Sequence, residues 1–217
     1  ISCGRKSVIP SILLKKKNPK IFTIHIQNPK VSFKNFDAII APEHDNLSGD
    51  NVYSSKGAIH YITESEINRA KSYLMDKIKG QEIISLILGG PNKYYAFDKK
   101  ELAKIFNEIK SNFLSKGYKV IVIPSLRTPK TIIDLAIKEF DVNSYVLNSV
   151  NKQAYLSALA LATNIVVTCD STSMISEAAS SGKPIFVAHM KSKRDNYRFK
   201  RFFKLFKEMG IIRDLGE

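Results

Sequence analysis

Between two short apolar runs, Asn164 to Cys169 and Pro184 to Ala188, lie Asp170-Ser171-Thr172-Ser173, a single acid at Glu177, and Gly182-Lys183-Pro184. Hydroxyl donors at Ser171 and Ser173 suit phosphate oxygens. Glu177, one helical turn beyond Ser173 on the same face, suits a ribose or sugar, because two vicinal hydroxyls can donate to one carboxylate. The same side chains have a structural use as well: hydroxyls cap the free N–H groups of a helix start, and an acid in its first turn is favoured by the helix dipole. Two further stretches follow apolar runs. LILGGP sets Gly89-Gly90 where a backbone without Cβ turns sharply and aims N–H groups at an anion. PSLRTP offers Ser125 and Arg127, the latter suited to an anionic oxygen and required by no capping rule, while Thr128 before Pro129 is predicted to be an N-cap.

These stretches need elements to position them. Candidate strands are Ile21 to Ile26, Phe36 to Ala41, Ile83 to Leu88, Lys119 to Pro124, Ser144 to Asn148, Asn164 to Cys169 and Pro184 to Ala188. They are short, β-branched and continuous rather than alternating, as parallel strands covered on both faces are. Helical patterns lie between them: Ser7 to Lys16, Glu64 to Lys79, Lys99 to Lys116, Thr128 to Glu139, Lys152 to Ala162, Ser173 to Ser181 and Asn196 to Met209. In the third, Leu102, Ile105, Phe106, Ile109 and Phe113 recur at helical spacing and Gly117 ends it. The alternation predicts an α/β fold with parallel sheets. The helix ending at Gly80-Gln81 reads as a connection between two lobes, which gives residues 1–80, 81–192 and a closing basic helix and tail at 193–217. The site is then expected in a cleft between the lobes, at the carboxyl ends of the strands.

Composition narrows the class. With 44% apolar residues in 217, the chain can bury a core, and no run approaches the ~20 apolar residues a membrane span needs. The two cysteines, Cys3 and Cys169, are far apart and the four histidines are dispersed. Reduced thiols in a cytoplasmic setting are expected, with no metal and no other cofactor. A formal net charge of +14 favours anionic partners such as nucleotide phosphates or a membrane surface. Nucleic acid is the least expected of these, since no aromatic-basic module is present. The first residue is Ile, so a fragment of a longer protein is expected.

The pattern from Asp170 to Pro184 resembles the nucleotide-sugar segment of GT-B glycosyltransferases and related sugar-nucleotide epimerases. ISCGRKS, IQNP, FDAIIAPEHDNL, NVYSSKGAIH, LILGGP, PSLRTP and VTCDSTSMISEA, in that order, resemble the "elongated mitochondria" family of bacterial proteins and a plant mitochondrial-fission factor. The resemblance implies a GT-B-like fold of two Rossmann-like lobes, the N-terminal one truncated. It also implies a nucleotide-sugar partner such as a UDP-sugar, with Gly89, Gly90, Ser125, Arg127, Ser171 and Ser173 on phosphate and Glu177 on ribose. Activity is left open: the family contains glycosyltransferase-like members and a non-enzymatic recruiter of fission machinery, so an adaptor with a protein partner is the alternative. In the first lobe Gly4, Arg5 and Ser7 sit at a strand-to-helix turn, Gln27 on the same wall, and His44 or Asp45 is the candidate base for glycosyl transfer.

The last helical pattern carries Phe199, Phe202, Phe203 and Phe206 on one face and Arg198, Lys200, Arg201, Lys204 and Lys207 on the others. It reads first as a closing helix packed by its aromatic face. The alternative is an interfacial helix at an anionic membrane, where a lipid-linked acceptor or a membrane-bound partner would be met.

Overall fold

The computed structural model describes residues 1–78, 82–140 and 144–217. They form two compact units, Ile1–Ile59 with Arg198–Leu205, and His60–Tyr197 with Phe206–Glu217.

In the first unit β1 (Ser2–Cys3), β2 (Ile24–Ile26), β3 (Ala38–Pro42) and β4 (Val52–Ser55) pair in parallel, in that order across the sheet. Helix α1 (Val8–Lys17) follows β1 and buries Val8 against Phe36 and Ile39. Parallel pairing brings the carboxyl ends of all four strands to one edge.

The second unit begins with α2 (Glu64–Ala70), capped by a reciprocal Thr63–Glu66 box, and α3 (Ser72–Met75). The series β5 (Ile83–Leu88), α4 (Lys99–Asn112), β6 (Lys119–Pro124), α5 (Lys130–Glu139), β7 (Ser144–Val146), α6 (Lys152–Leu161), β8 (Asn164–Thr168), α7 (Thr172–Ala179) and β9 (Ile185–Ala188) follows. Helix α8 (Tyr197–Glu208) and β10 (Ile212–Asp214) complete the chain. The parallel sheet runs β10-β9-β8-β5-β6-β7. Counted from β7, this is the 3-2-1-4-5-6 order of dinucleotide-binding sheets, and the chain reverses direction across the sheet between β5 and β8.

The sequence explains the central elements. All six residues of β5 are buried, as a strand covered on both faces requires; its one polar side chain, Ser85, donates to the Ala158 carbonyl at 2.7 Å. Helix α4 is capped by Asp98, which accepts from Lys100 N–H at 2.8 Å, and it buries Leu102, Ile105, Phe106 and Ile109. Gly117 ends the following turn at φ 88°, a conformation that costs glycine little. Leu74, Ile83, Ile121, Ile123, Leu147, Ala154 and Ala158 form one core cluster.

The structure departs from the sequence reading at the edges. Strands β1, β4 and β10 were not expected: each is short and polar and lies at a sheet margin, where little apolar patterning is needed. The helix expected from Glu64 to Lys79 divides at Lys71, because the Ser157 hydroxyl enters its hydrogen-bond ladder, accepting from Leu74 N–H at 3.1 Å and donating to the Lys71 carbonyl at 3.0 Å. Lys79, Gly80 and Gln81, the expected end of that helix and the boundary between lobes, lie outside the described residues. Since α2 and α3 pack on α6, they belong to the second unit, which starts at His60. Thr128 is not the cap of α5; Pro129 is, and the Thr128 hydroxyl bonds back to the end of β5.

Phe199, Phe202 and Phe206 of α8 are buried and Phe203 is half-buried. This burial agrees with the closing-helix reading, in which the aromatic face packs inside, while Tyr197 at the start of the helix stays exposed. Among the described residues no helix is long and apolar enough to cross a membrane.

Phe106 is fully buried, its ring 5.0 Å from that of Phe140 and tilted against it by 56°. Phe106→Ala is expected to lower stability in chemical denaturation by about 3–5 kcal/mol. A loss below about 1 kcal/mol would show that the ring does not fill the interior.

Candidate functional site

The carboxyl ends of β5, β6 and β8 meet around one buried carboxylate, Asp170, whose side chain has no exposure. Oδ1 accepts from the Thr168 hydroxyl at 2.7 Å, and Oδ2 accepts from Gly90 N–H at 3.0 Å and from Arg127 Nη2 at 2.9 Å. The Thr168 hydroxyl in turn accepts from Gly89 N–H at 2.8 Å. Arg127 Nη1 donates to the Gly90 carbonyl at 2.7 Å. Asn92 Nδ2 donates to the Asp170 carbonyl at 3.0 Å, while its Oδ1 folds the loop after β5 by accepting from Tyr94 and Tyr95 N–H.

Gly89, Gly90, Ser125, Arg127, Ser171 and Ser173 are therefore all placed at one edge of one sheet, but several are already engaged. The Gly89 and Gly90 N–H groups serve Thr168 and Asp170, not an open anion cradle. Glycine is required there by closeness: a Cβ on Gly89 would lie 2.1 Å from Asp170 Oδ2, and one on Gly90 2.1 Å from the Arg127 carbonyl oxygen. The Ser125 hydroxyl braces its own turn, accepting from Arg127 N–H at 3.2 Å. Ser171 caps α7, accepting from Met174 N–H at 3.3 Å, and Ser173 is exposed in its first turn. Arg127 keeps 42% of its side chain exposed, so it faces solvent at this edge with its charge balanced by Asp170.

Glu177 is the sixth residue of α7 and not in its first turn, as the sequence reading had it. The helix starts one residue earlier than expected, so the dipole does not account for Glu177. Its Oε2 accepts from the Tyr155 hydroxyl at 3.0 Å. Burial pushes its carboxyl above the usual carboxylate range, opposed by the Tyr155 hydrogen bond and by His60. Sequence reasoning missed Thr168, Asn92, Tyr155 and His60; each lies far along the chain from the group it serves or inside a segment read as strand.

In the first unit, Gly4, Arg5, Ser7, Gln27, His44 and Asp45 all follow carboxyl ends of the parallel strands, so they share one edge. Gly4 and Gln27 both have positive φ, 75° and 81°. Arg5 is exposed, and the Ser7 hydroxyl donates to the Cys3 and Gly4 carbonyls of its own turn. His44 is buried with Phe202 edge-on at 5.0 Å, and neither ring nitrogen has a hydrogen-bond partner among the described residues, although Asp45 Oδ1 lies 3.9 Å from Nε2. Burial, with the nearby Arg198 charge, lowers its pKa to about 4. Asp45 is paired with Arg198. Of the two candidate bases, His44 is thus shielded and weakly basic, and Asp45 is engaged in an ion pair.

A cavity of about 520 Å³ in the second unit, lined by Asn164, Lys183, Phe186, Ile211 and Arg213, lies at the opposite, amino-terminal edge of β8, β9 and β10. It shares none of the residues above. Among the described residues no group of three His, Cys, Asp or Glu side chains is placed to hold a metal ion.

Two parallel sheets with a polar network at the switch point of the second define an α/β protein with the GT-B type of fold. UDP-GlcNAc 2-epimerase of Methanocaldococcus jannaschii is similar, with a TM-score of 0.60 at 14% identity over 95% of this chain and 68% of that one. The Neisseria meningitidis UDP-GlcNAc 2-epimerase bound to UDP-GlcNAc gives 0.54 at 12%, over 96% and 66%. A family 9 glycosyl transferase of Veillonella parvula gives 0.50 at 12%, over 98% and 74%. At such identities the likeness is one of fold. The chain belongs to the mitochondrial fission ELM1 family, whose model matches residues 1–217. It is 27% identical to mitochondrial fission protein ELM1 of Arabidopsis thaliana over 98% of its own length, and spans 56% of that protein. It is 28% identical to the uncharacterized protein RP120 of Rickettsia prowazekii, covering all of this chain and 71% of that one.

Two outcomes follow from the charges. Arg127→Met strands a buried carboxylate and should cost about 3–5 kcal/mol, towards the lower figure because Arg127 is partly exposed. Asp170→Asn leaves only a partly exposed cation, so it should cost less in the same denaturant titration; the reverse ranking would refute the network's charge logic. For His44, a folded pKa near 4 lies below the unfolded value near 6.5, so protons bind the unfolded chain first as pH falls. Stability is therefore lost between about pH 6.5 and 4, by roughly 3 kcal/mol from this group. Wild type should show a steeper fall through that window than His44→Phe.

Proposed function

We propose that this chain is the nucleotide-sugar-binding part of a GT-B-type glycosyltransferase that takes a UDP-type sugar nucleotide in its second unit. The observation that carries this reading is Glu177, a partly buried carboxylate at the helix that follows β8, beside the switch point where sheets of this order receive nucleotides. One of its oxygens is fixed by Tyr155. A carboxylate held this way suits a ribose diol.

Phosphate recognition then falls to the start of α7, with the exposed Ser173, and to the outer face of Arg127, since the Gly89 and Gly90 amides are spent. Lys93 and Arg194, whose charges lie over the Tyr94 ring at 4.7 and 5.6 Å, add positive charge at the loop after β5. The dispersed histidines and cysteines support a metal-independent transfer. The names of the structural neighbours support UDP as the nucleotide, and a cytoplasmic setting accords with the reduced cysteines.

A second reading, a non-catalytic adaptor that binds a protein partner, is favoured by the state of His44 and Asp45, neither of which offers a free base. Thermal shift of the full-length protein against nucleoside diphosphates and their sugars separates the two. A nucleotide at 100 times its dissociation constant should add about 2.7 kcal/mol of stability. Absence of a shift with every nucleotide favours the adaptor. Glu177→Gln should weaken UDP binding by roughly 10- to 150-fold, the equivalent of a hydrogen bond to a charged group; unchanged affinity removes Glu177 from the site.

A further inference from the structure

Two segments of the second unit converge on α7 around Glu177. From α6, the Tyr155 hydroxyl donates to Oε2 at 3.0 Å. From the segment before α2, His60 Nε2 lies 3.2 Å from the Ser176 carbonyl, so it carries the proton and donates there, with the Ser180 hydroxyl at 3.5 Å. His60 Nδ1 is buried with no hydrogen-bond partner among the described residues. Tyr61, next to His60, is held under the Lys152 ammonium at 4.6 Å and acts electrostatically on Tyr155. Tyr155 and His60 are the titratable groups that act on this carboxylate, with Tyr61 and Lys152 one contact further out.

The arrangement is asymmetric. Oε2 is occupied by Tyr155, whereas Oε1 takes no hydrogen bond from any described residue. Tyr155 is rigid in its turn: it belongs to α6, whose start is capped by Asn151 accepting from Ala154 N–H at 2.9 Å, and its neighbours Ala154 and Leu156 are buried. A rigid donor fixing one oxygen of a carboxylate pins its rotamer and aims the other.

We propose that Tyr155 is a positioning residue that orients Glu177 so that its free oxygen reads the 2′- and 3′-hydroxyls of a ribonucleoside diphosphate and discriminates against the 2′-deoxy form. This rests on the nucleotide reading above. Its chemistry is hydrogen bonding alone. A hydroxyl the carboxylate is built to receive leaves a partly buried charge less satisfied when it is missing, which is how such sites reject analogues lacking one group.

The Tyr155 hydrogen bond also favours the ionised carboxylate, against the burial that disfavours it. Removing the hydroxyl therefore moves the Glu177 titration upward, and the loss of nucleotide binding on acidification begins at higher pH. A role confined to packing would move neither.

The test uses the full-length protein and Tyr155→Phe, which keeps the ring and removes only the hydroxyl. Calorimetry with UDP and 2′-deoxy-UDP across pH is paired with carbon-13 NMR of the glutamate carboxyls in the unliganded protein, Glu177 being assigned from Glu177→Gln. Wild type is expected to prefer UDP by about tenfold or more, with the preference falling to about threefold or less in Tyr155→Phe. The Glu177 midpoint is expected to rise in the same variant. Equal wild-type affinity for the two nucleotides, an unmoved midpoint, or an undiminished preference in Tyr155→Phe overturns the proposal. Failure of wild type to bind UDP while the midpoint still rises locates the failure in the nucleotide reading, and the ribose role falls with it. Should Tyr155→Phe not fold, Tyr155→His, which keeps a ring without the phenol, takes its place, and equal wild-type affinity for the two nucleotides overturns the proposal by itself.

Discussion

A carboxylate without solvent exposure must be matched where it stands, and Asp170 imposes that demand on three strand ends at once. Removing an ion of this size from water costs several kcal/mol even after relaxation, so its acceptors have to be filled by donors of good geometry. Thr168, Gly90 and Arg127 fill them. Each donor constrains its own segment. Gly89 and Gly90 must lack Cβ because the carboxylate and the Arg127 backbone occupy that space. The loop after β6 must turn so that Arg127 reaches back across β5. The shape of the site edge therefore follows from one desolvated charge, and its rigidity follows from the cost of leaving that charge unmatched.

This arrangement divides labour along the edge. Loops of glycine and arginine at a switch point suggest a ligand cradle, yet here their donors are consumed in holding β5, β6 and β8 together. What is left facing outward belongs to α7 and to the carboxylate within it. The candidate site is then a helix presented by a stiff platform, and Glu177 takes its orientation from α6 rather than from the loops.

How much of this could be read from the sequence depends on how local the cause is. The buried strands β5 and β6 were legible to the residue, because strands covered on both faces write continuous β-branched runs. Helix α4 was legible from Leu102, Ile105, Phe106 and Ile109, and its end from Gly117. The edge strands β1, β4 and β10 were not, since an edge strand of two to four residues needs no apolar pattern. The division at Lys71 depends on a hydroxyl 86 residues away. The state of His44 depends on Phe202, whose ring covers it from α8, and no local signal marks such a residue as buried. The motif after β8 was legible as a strand-to-helix turn, which is where the structure places it; which of its atoms are engaged depended on Arg127 and Tyr155, whose partners no periodicity records.

The net charge of +14 illustrates the same separation between composition and site. Aspartates in or beside strands of the two sheets are paired with cations, and for Asp170, Asp45 and Asp37 the choice of cation follows burial. Asp170 and Asp45, with 0% and 11% of the side chain exposed, take Arg127 and Arg198. Asp37, at 27%, takes Lys15 at 2.8 Å. A planar, weakly hydrated guanidinium loses less on leaving water and offers several donors to one carboxylate, whereas an ammonium keeps its hydration best where water still reaches it. Arg127 and Arg198 are therefore committed to balancing buried acids, although Arg127 keeps an exposed outer face. In a strongly basic chain the innermost charges of the site edge are balanced in this way, and what binds there is selected by the polar atoms left unengaged more than by the overall charge.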